Sequence, residues 1–590
     1  MVRITVDPVS RASGGLRFDV DLKDGSVADA RCSGTSYRGF EQMLVGRDPL
    51  DAVYFTQRVC GMCSAAHATA AAGAVESLCG VAAQVPKDAL VVRNILNGLA
   101  WLRSHVESLY LSFLPDLADP FYGDILRYSD TGSALVYELY RRFNAPGYAA
   151  SSATAAGAAY ADAVRCIKLI GETEAVLAGR SPHGPAIVPG GVTARPTASD
   201  LYRLKANYAA IVDFLERRLT APLTLDQWLE RTHVVAADPN YILETVSGLP
   251  KGDLSAEKGW NDMTLFAVFG SRMIAGDFLS MPTYIELDTL GGYPMLDQLI
   301  GYLNYGAFFP AKDGYAPVDA GQANTFQFPS GFTAGSMQNL YAAAAAVNPA
   351  QIAEQVGSAF YTYAGADAAL PPAAGETRPL AGTDDIDYAS TGAKYSFVKA
   401  PRYGNVPCEV GPLARMINSR EPFIFNVMKL FHDSSSRYPG RDYQMTSVYT
   451  RVLSRMQEAL VVAKMLGGWI AEDLGVDGNA RQYCVPATPR SGRSGACLIE
   501  ASRGALGHWV KLDGSGRIEA YQIVAPTTWN ASPRDGDSNY GPMELATIGS
   551  KITPRGNLPG QEYNPLSIYH IIRSFDPCVA CAVHAVRVKR

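Results

Sequence analysis

Residues 58–67 read RVCGMCSAAH, and residues 576–584 read DPCVACAVH. Each stretch sets two cysteines three positions apart with a histidine soon after: Cys60, Cys63 and His67 near one end, Cys578, Cys581 and His584 near the other. A C-x-x-C pair can be a redox dithiol, but that reading wants a βαβ context, which this region lacks. Covalent haem needs a histidine directly after the second cysteine, where Ser64 and Ala582 stand. Four thiolates suit tetrahedral zinc, yet structural zinc ligands ordinarily lie close in sequence, because the metal staples a small local fold. Pairs from opposite ends of a 590-residue chain describe a buried metal site instead. Spacing leaves zinc and a softer redox metal equally open.

Outward from the first pair, SAAHATAAAGAVESL reads as a helix. Before it, LRFDVDLKDGSVADARC alternates apolar and polar residues about Asp24-Gly25, the mark of a hairpin. After it, Val92, Ile95, Leu99, Leu102, Val106, Leu109 and Phe113 keep helical spacing, which predicts a long buried helix over 89–114. A second helix is expected after Ser199-Asp200 as cap, with Leu204, Tyr208, Ile211 and Leu215 on one face. A third is expected over 446–466, stopping at Gly467-Gly468. HWVKLDGSGRIEAYQIV predicts a late strand pair turning at Asp513-Gly514. The segment 364–387, GADAALPPAAGETRPLAGTDDID at its heart, reads as a surface insertion. The expected fold is mainly α with peripheral β-hairpins, an α+β class, with no strand-helix alternation of the nucleotide-binding kind.

The composition, 47% hydrophobic and 18% charged, is that of a globular protein. A net charge of -5 supplies no basic footprint, so no nucleic-acid partner is expected. MVRITVDPVSRASGG has no apolar h-region, and no apolar run is long enough to span a bilayer. Any membrane association would come through partners. The other six cysteines, Cys32, Cys79, Cys166, Cys408, Cys484 and Cys497, stand alone and read as small buried hydrophobes.

Longer stretches resolve the metal. YRGFEQMLVGRDPLDAVYFTQRVCGMC, PHGPAIVPGGVT, KAPRYGNVPCEVGPLAR, EASRGALGHW, IVAPTTWNASPRD and DPCVACAVH occur in this order along the chain. Together they resemble the large subunit of nickel-iron hydrogenases of the membrane-linked uptake type. The resemblance implies one domain over 1–590 with a large helix-bundle core. It implies reversible heterolytic oxidation of H2 at a nickel-iron centre whose iron carries CO and cyanide.

Residue by residue, Cys60, Cys63, Cys578 and Cys581 match the thiolates that hold nickel, two of them bridging to iron. Arg503 matches the arginine over the open metal position, and Asp576 an acid near it; Cys578 is the nearest base for the proton. Pro526 and Thr527 match the segment facing the cyanides, and Arg58 and His67 flank the first pair, orienting thiolates rather than binding metal. The Glu41 carboxylate, the Ile523 carbonyl and the His584 imidazole match a Mg2+ site.

Two departures stand out. The family usually carries R-x-E-G-H early in the chain, and here Arg11-Ala12-Ser13-Gly14-Gly15 puts Ser13 where a glutamate relays protons. Ser104 stands where many relatives place an aspartate. A hydroxyl passes a proton on but does not store one, so a slower or rerouted proton exit is expected. Only AVRVKR follows His584, a short tail (585–590) that a maturation endopeptidase either removes after nickel-insertion proteins have acted or leaves in place.

The remaining cysteines form no iron-sulfur pattern, so the electron relay is expected in a partner. That partner is an iron-sulfur small subunit in an obligate heterodimer, or a dimer of such heterodimers. Its export signal would place the complex at the cell envelope, on the outer membrane face or in the periplasm; the alternative is cytoplasmic. Two other functions compete: an H2-sensing regulatory hydrogenase of low turnover, and a zinc-bound or metal-free relative like the hydrogenase-derived subunit of respiratory complex I, a lineage that has generally lost the cysteines retained here.

Overall fold

The computed structural model describes residues 2–119, 138–144, 157–233, 260–270, 287–293, 299–309, 328–335, 343–363, 369–374, 377–380, 392–437, 445–474, 482–552 and 565–583. The first sheet has three antiparallel strands, β1 (Val2–Val6), β2 (Leu16–Lys23) and β3 (Ser26–Gly34), in the order 1-2-3. The β2-β3 turn falls at Asp24-Gly25, whose φ values of 52° and 76° put both residues in the left-handed region that a tight hairpin requires.

Two short helices, α1 (Phe40–Leu44) and α2 (Asp51–Thr56), lead to the first cysteine pair, and α3 (Ser64–Cys79) leaves it. Except for Ser77, every α3 residue is buried, because alanines let the helix pack closely on all sides. The body is built on α4 (Lys87–Val106), α5 (Ala158–Ala178), α6 (Ala198–Leu215), α7 (Pro412–Ser419) and α8 (Val448–Gly468). α4 packs between α5 and α8, and α5 against α6. The expected run over 89–114 is α4 continued by a wider π turn, Glu107–Phe113, and a tighter turn, Leu114–Ala118.

A second three-stranded meander, β4 (Ser494–Ala501), β5 (Gly504–Leu512) and β6 (Ile518–Val524), covers α3. It delivers the chain into α9 (Pro526–Asn530), and the last described elements are α10 (Leu566–Ser574) and α11 (Val579–Val583). Among the described residues all sheets are small and the pairing is antiparallel, save Cys408–Glu409 beside Gly301–Tyr302. The α+β reading holds.

Three local expectations are corrected. The cap of α6 is Thr197, whose hydroxyl accepts from the Asp200 N–H while the Asp200 carboxylate accepts from the Thr197 N–H, a reciprocal box that Ser199 cannot form. α8 starts after Ser447 and runs through Gly467-Gly468 into a π turn, Trp469–Asp473; the buried Trp469 anchors what the glycines would have ended. Cys484 is exposed, unlike the other five isolated cysteines. Most of the expected insertion 364–387, namely 364–368, 375–376 and 381–387, lies outside the described residues; within it Thr377–Pro379 pairs with Tyr361–Tyr363.

Candidate metal centre

Two cysteine-bearing turns meet where α2 hands over to α3 and α10 to α11. Cys63 occupies the N-cap position of α3, and hydrogen bonding with Cys578 pushes its thiol well above its ordinary value. Cys578 lies between α10 and α11 beside Ser13, in a parallel bridge, and the Ala580 N–H donates to the Ser13 carbonyl at 3.0 Å. Contact is so close that a Cβ on Gly14, whose φ is 96°, would lie 2.6 Å from the Ala580 nitrogen. The N-terminal segment thus forms one wall of the C-terminal turn.

The sulfurs of Cys60, Cys63, Cys578 and Cys581 lie within 4.8 Å of one another, all buried. Cys60 and Cys578 are 3.3 Å apart, Cys63 and Cys581 3.2 Å, Cys578 and Cys581 3.0 Å. These separations exceed a disulfide bond of about 2.05 Å, so the four are free thiols held as a set. Hydrogen bonding from Cys578 holds the Cys60 thiol well below its ordinary value, while burial pushes Cys581 well above. No other trio of His, Cys, Asp or Glu among the described residues gathers this way.

Arg503 is buried beside the set. Its Nε donates to the Asp576 carbonyl at 3.0 Å, and its Nη2 to Asp576 Oδ1 at 3.1 Å. Its Nη1 is buried without a hydrogen-bond partner among the described residues. Burial alone would lower this guanidinium's pKa; Asp576, Cys578 and Cys60 more than offset that, and the charge is kept. Four soft sulfurs with an unpaired N–H beside them fit a thiophilic metal, and no oxygen ligand is present in the set to suit a hard cation.

Asp576, at a left-handed φ of 53°, also accepts from Arg455 at 3.3 Å. Arg455 Nη1 lies 3.4 Å from His105 Nδ1, and His105 Nε2 lies 2.9 Å from Glu458 Oε2. Glu458 pairs with Arg415, which also holds Glu500. Burial opposes ionisation of Glu458, but Arg415 wins and lowers it to about 2. Ser104, next to His105, is buried with its hydroxyl unpartnered among the described residues.

The matching family model is that of the nickel-dependent hydrogenases, over residues 38–120 and 288–584, more than half of the chain. The chain belongs to the nickel-dependent hydrogenase family. It is 29% identical to the periplasmic [NiFeSe] hydrogenase large subunit of Desulfomicrobium baculatum, covering 100% of this chain and 96% of that one. It is 29% identical to the hydrogenase-1 large chain of Escherichia coli K12 and 28% to the uptake hydrogenase large subunit of Rhodobacter capsulatus, each over 99% of this chain and 95% of the relative. The reduced, active Ni-Fe-Se hydrogenase of D. baculatum superposes with a TM-score of 0.70 at 27% identity, covering 99% and 100% of the two chains. This hydrogenase large subunit keeps cysteine at all four positions.

Other expected site residues fall as follows. Thr527 Oγ1 accepts from the Cys578 N–H at 2.9 Å, which leaves its hydroxyl proton free to donate; Pro526 opens α9. His67 is buried, its Nδ1 3.1 Å from His508 Nε2, and burial lowers its pKa to about 4. Arg58 does not orient the thiolates as expected. Its guanidinium lies 3.5 Å from the centre of the Tyr54 ring and donates to the Tyr54 carbonyl. Arg38 takes that part: it donates to the Val59 carbonyl, to the Arg58 carbonyl at 2.8 Å and to the Ala580 carbonyl at 3.2 Å, joining both turns. Its position in YRGFEQ carries no spacing signal that singles it out.

Glu41 and Ile523 do meet: Glu41 Oε1 accepts from the Ile523 N–H at 3.0 Å. The same oxygen accepts from Lys399 at 3.1 Å, and Lys399 also donates to Glu354 at 3.1 Å and Gln522 at 2.7 Å. His584 lies outside the described residues. Lys399 was missed, although it opens the landmark KAPRY; its role depends on Glu354, forty-odd positions away.

Proposed function

We propose that this chain is the catalytic large subunit of a nickel-iron hydrogenase, oxidising H2 reversibly to protons and electrons that pass to an iron-sulfur small subunit. The observation that carries this reading is the buried four-sulfur set, drawn from both ends of the chain, with Arg503 beside it. A nickel-iron centre with CO and cyanide on iron, held by Cys60, Cys63, Cys578 and Cys581, supplies the redox chemistry. The chain's own residues do the rest. Arg503, fixed by Asp576, keeps a buried N–H and a positive charge where charge separates. Cys578 Sγ accepts the proton. Thr527, anchored by the Cys578 backbone, offers its hydroxyl to the cyanide face. Asp576, Arg455, His105 and Glu458 form a buried polar row that fixes Asp576 beside the set.

Glu41, Ile523 and His584 are the ligands proposed for Mg2+, with Lys399 and Glu354 balancing charge around it. Periplasmic and uptake relatives support a cell-envelope location reached through the small subunit; no described helix is long and apolar enough to cross a membrane. Removal of 585–590 by a maturation endopeptidase and its retention are both compatible with this reading. A low-turnover H2 sensor is the second reading, favoured by Ser13 in place of a carboxylate. Metal analysis and H2 uptake with an artificial acceptor, on heterodimer made with its maturation proteins, test both. Nickel and iron with fast uptake support the enzyme, nickel and iron with slow uptake support the sensor, and zinc alone overturns both.

A further inference from the structure

A guanidinium has five N–H groups, and the fold disposes of those on Arg503 unequally. The residue stands in the short turn between β4 and β5. Its main chain is pressed there against Gly411, on which a Cβ would lie 3.0 Å from the Arg503 carbonyl oxygen. From that base the side chain reaches Asp576. Nε donates to the Asp576 carbonyl at 3.0 Å and lies 2.9 Å from Oδ2, and Nη2 donates to Oδ1 at 3.1 Å. Nη1 is left without a hydrogen-bond partner among the described residues.

Asp576 thus grips one edge of the guanidinium, the edge that carries Nε and Nη2. A planar group held along one edge still swings about that edge as a hinge, and only a contact off the edge stops it. Such a contact is present. Nη2 carries a second hydrogen, and Met62 Sδ accepts from Nη2 at 3.5 Å.

Met62 is itself held in place. It is the residue directly before Cys63 in the Cys60–Cys63 turn, and its N–H donates to Cys60 Sγ at 3.4 Å. Its half-buried side chain packs on the main core. The swing of the guanidinium is therefore referred, through a single residue, to one of the four sulfurs.

The chemistry of a thioether suits this place. A carboxylate here would draw the N–H groups into a second ion pair, and a hydrocarbon would leave the second Nη2 hydrogen unpartnered. A thioether is a neutral, weak acceptor, so it satisfies that hydrogen without adding an anion.

We infer that Met62 is a positioning residue for Arg503: its Sδ fixes the guanidinium about the Asp576 edge and so decides which way the unpartnered Nη1 points. This rests on the reading of Arg503 as the cation that acts at a nickel-iron centre held by the four cysteines. A donor that stabilises charge only as it develops is most effective when already aimed, so losing the contact costs turnover rather than affinity for H2.

The test uses the complete heterodimer as wild type, as Met62→Leu, which fills similar space without an acceptor, and as Met62→Gln, whose amide oxygen can accept from Nη2. Nickel content, kcat and KM for H2 uptake, and crystal structures are obtained for all three. Expected for Met62→Leu are unchanged nickel, an unchanged KM, a kcat lower by about tenfold and an Arg503 guanidinium turned from its wild-type orientation. Met62→Gln should recover most of the lost kcat and the single orientation. A Met62→Leu protein as fast as wild type, or with Arg503 unmoved, would overturn the proposal, as would a Met62→Gln protein no faster than Met62→Leu. Should Met62→Leu fail to fold, the wild-type crystal structure decides, and a Met62 Sδ turned away from Nη2 would overturn the inference. Wild type without nickel would instead overturn the hydrogenase reading, while the crystal structures would still report whether Met62 orients Arg503.

Discussion

Replacing Arg38 with methionine tests what holds the two cysteine turns together. The guanidinium donates to three main-chain carbonyls, two preceding Cys60 and one following Cys578. Each such charge-assisted bond contributes about 1.5–3 kcal/mol where water is excluded, and less where it is not. Arg38 is half-buried, so water replaces part of what is lost, and about 1 kcal/mol for each of three bonds is a fair discount. Methionine keeps the apolar stem against Phe40, over which the guanidinium now lies at 4.7 Å. The closed arrangement of sulfurs is then favoured less by about 3 kcal/mol, which at 1.4 kcal/mol per decade weakens metal retention roughly a hundredfold. Chelator competition on the loaded heterodimer measures this directly. Arg38→Lys, a point charge able to reach one carbonyl at a time, should fall between the two. If Arg38→Met retains nickel as tightly as wild type, the turns do not depend on this clamp and the reasoning fails.

Asp576→Asn leaves Arg503 and Arg455 without their shared anion, and turnover should fall by about two orders of magnitude at unchanged nickel content, measured as H2 uptake; equal activity would remove Asp576 from the machinery. Ser13→Glu places a carboxylate where the resemblance leads one to expect it and should raise turnover, whereas no change would show that protons leave by another route. Buried Glu544 has its pKa raised to about 7 by burial, against 4.5 ordinarily. Its folded form therefore keeps a proton that the unfolded chain releases, and stability drains away as pH rises from about 4.5 to 7. Glu544→Gln should flatten that stretch of the stability–pH curve, closing a difference of about 3 kcal/mol in denaturant melts; parallel curves for the two proteins would refute the shift.

The sequence exposes what is local or strongly periodic. The hairpin at Asp24-Gly25, the alanine-rich α3 and the apolar stripe of α4 follow from neighbours a few positions apart. The four cysteines were legible because a C-x-x-C pair at each end is rare enough to demand a common purpose. What spacing could not reveal is partnership across the chain. Arg38 looks like any surface arginine until Ala580 is beside it, and His508 and Tyr521 line up with His67 only when β5 and β6 are laid over α3. Arg58 misled for the converse reason: adjacency to Cys60 in sequence did not aim its side chain at the sulfurs. Gly467-Gly468 misled because the burial of Trp469 outweighs the helix cost of two glycines.

Cys60 and Cys578 are 518 positions apart, yet their sulfurs lie 3.3 Å from each other. Closing a loop of that length costs about 5.5 kcal/mol of chain entropy by the logarithmic law, before any constant. A ribosome adding about 5–20 residues per second finishes Cys578 roughly 25–100 s after Cys60. Through that interval the first pair of thiols has no counterpart, and a chain stopped before Cys578 never acquires one. The cage is therefore also a check on assembly: only a molecule in which both cysteine turns have been made and brought together offers four sulfurs to a metal.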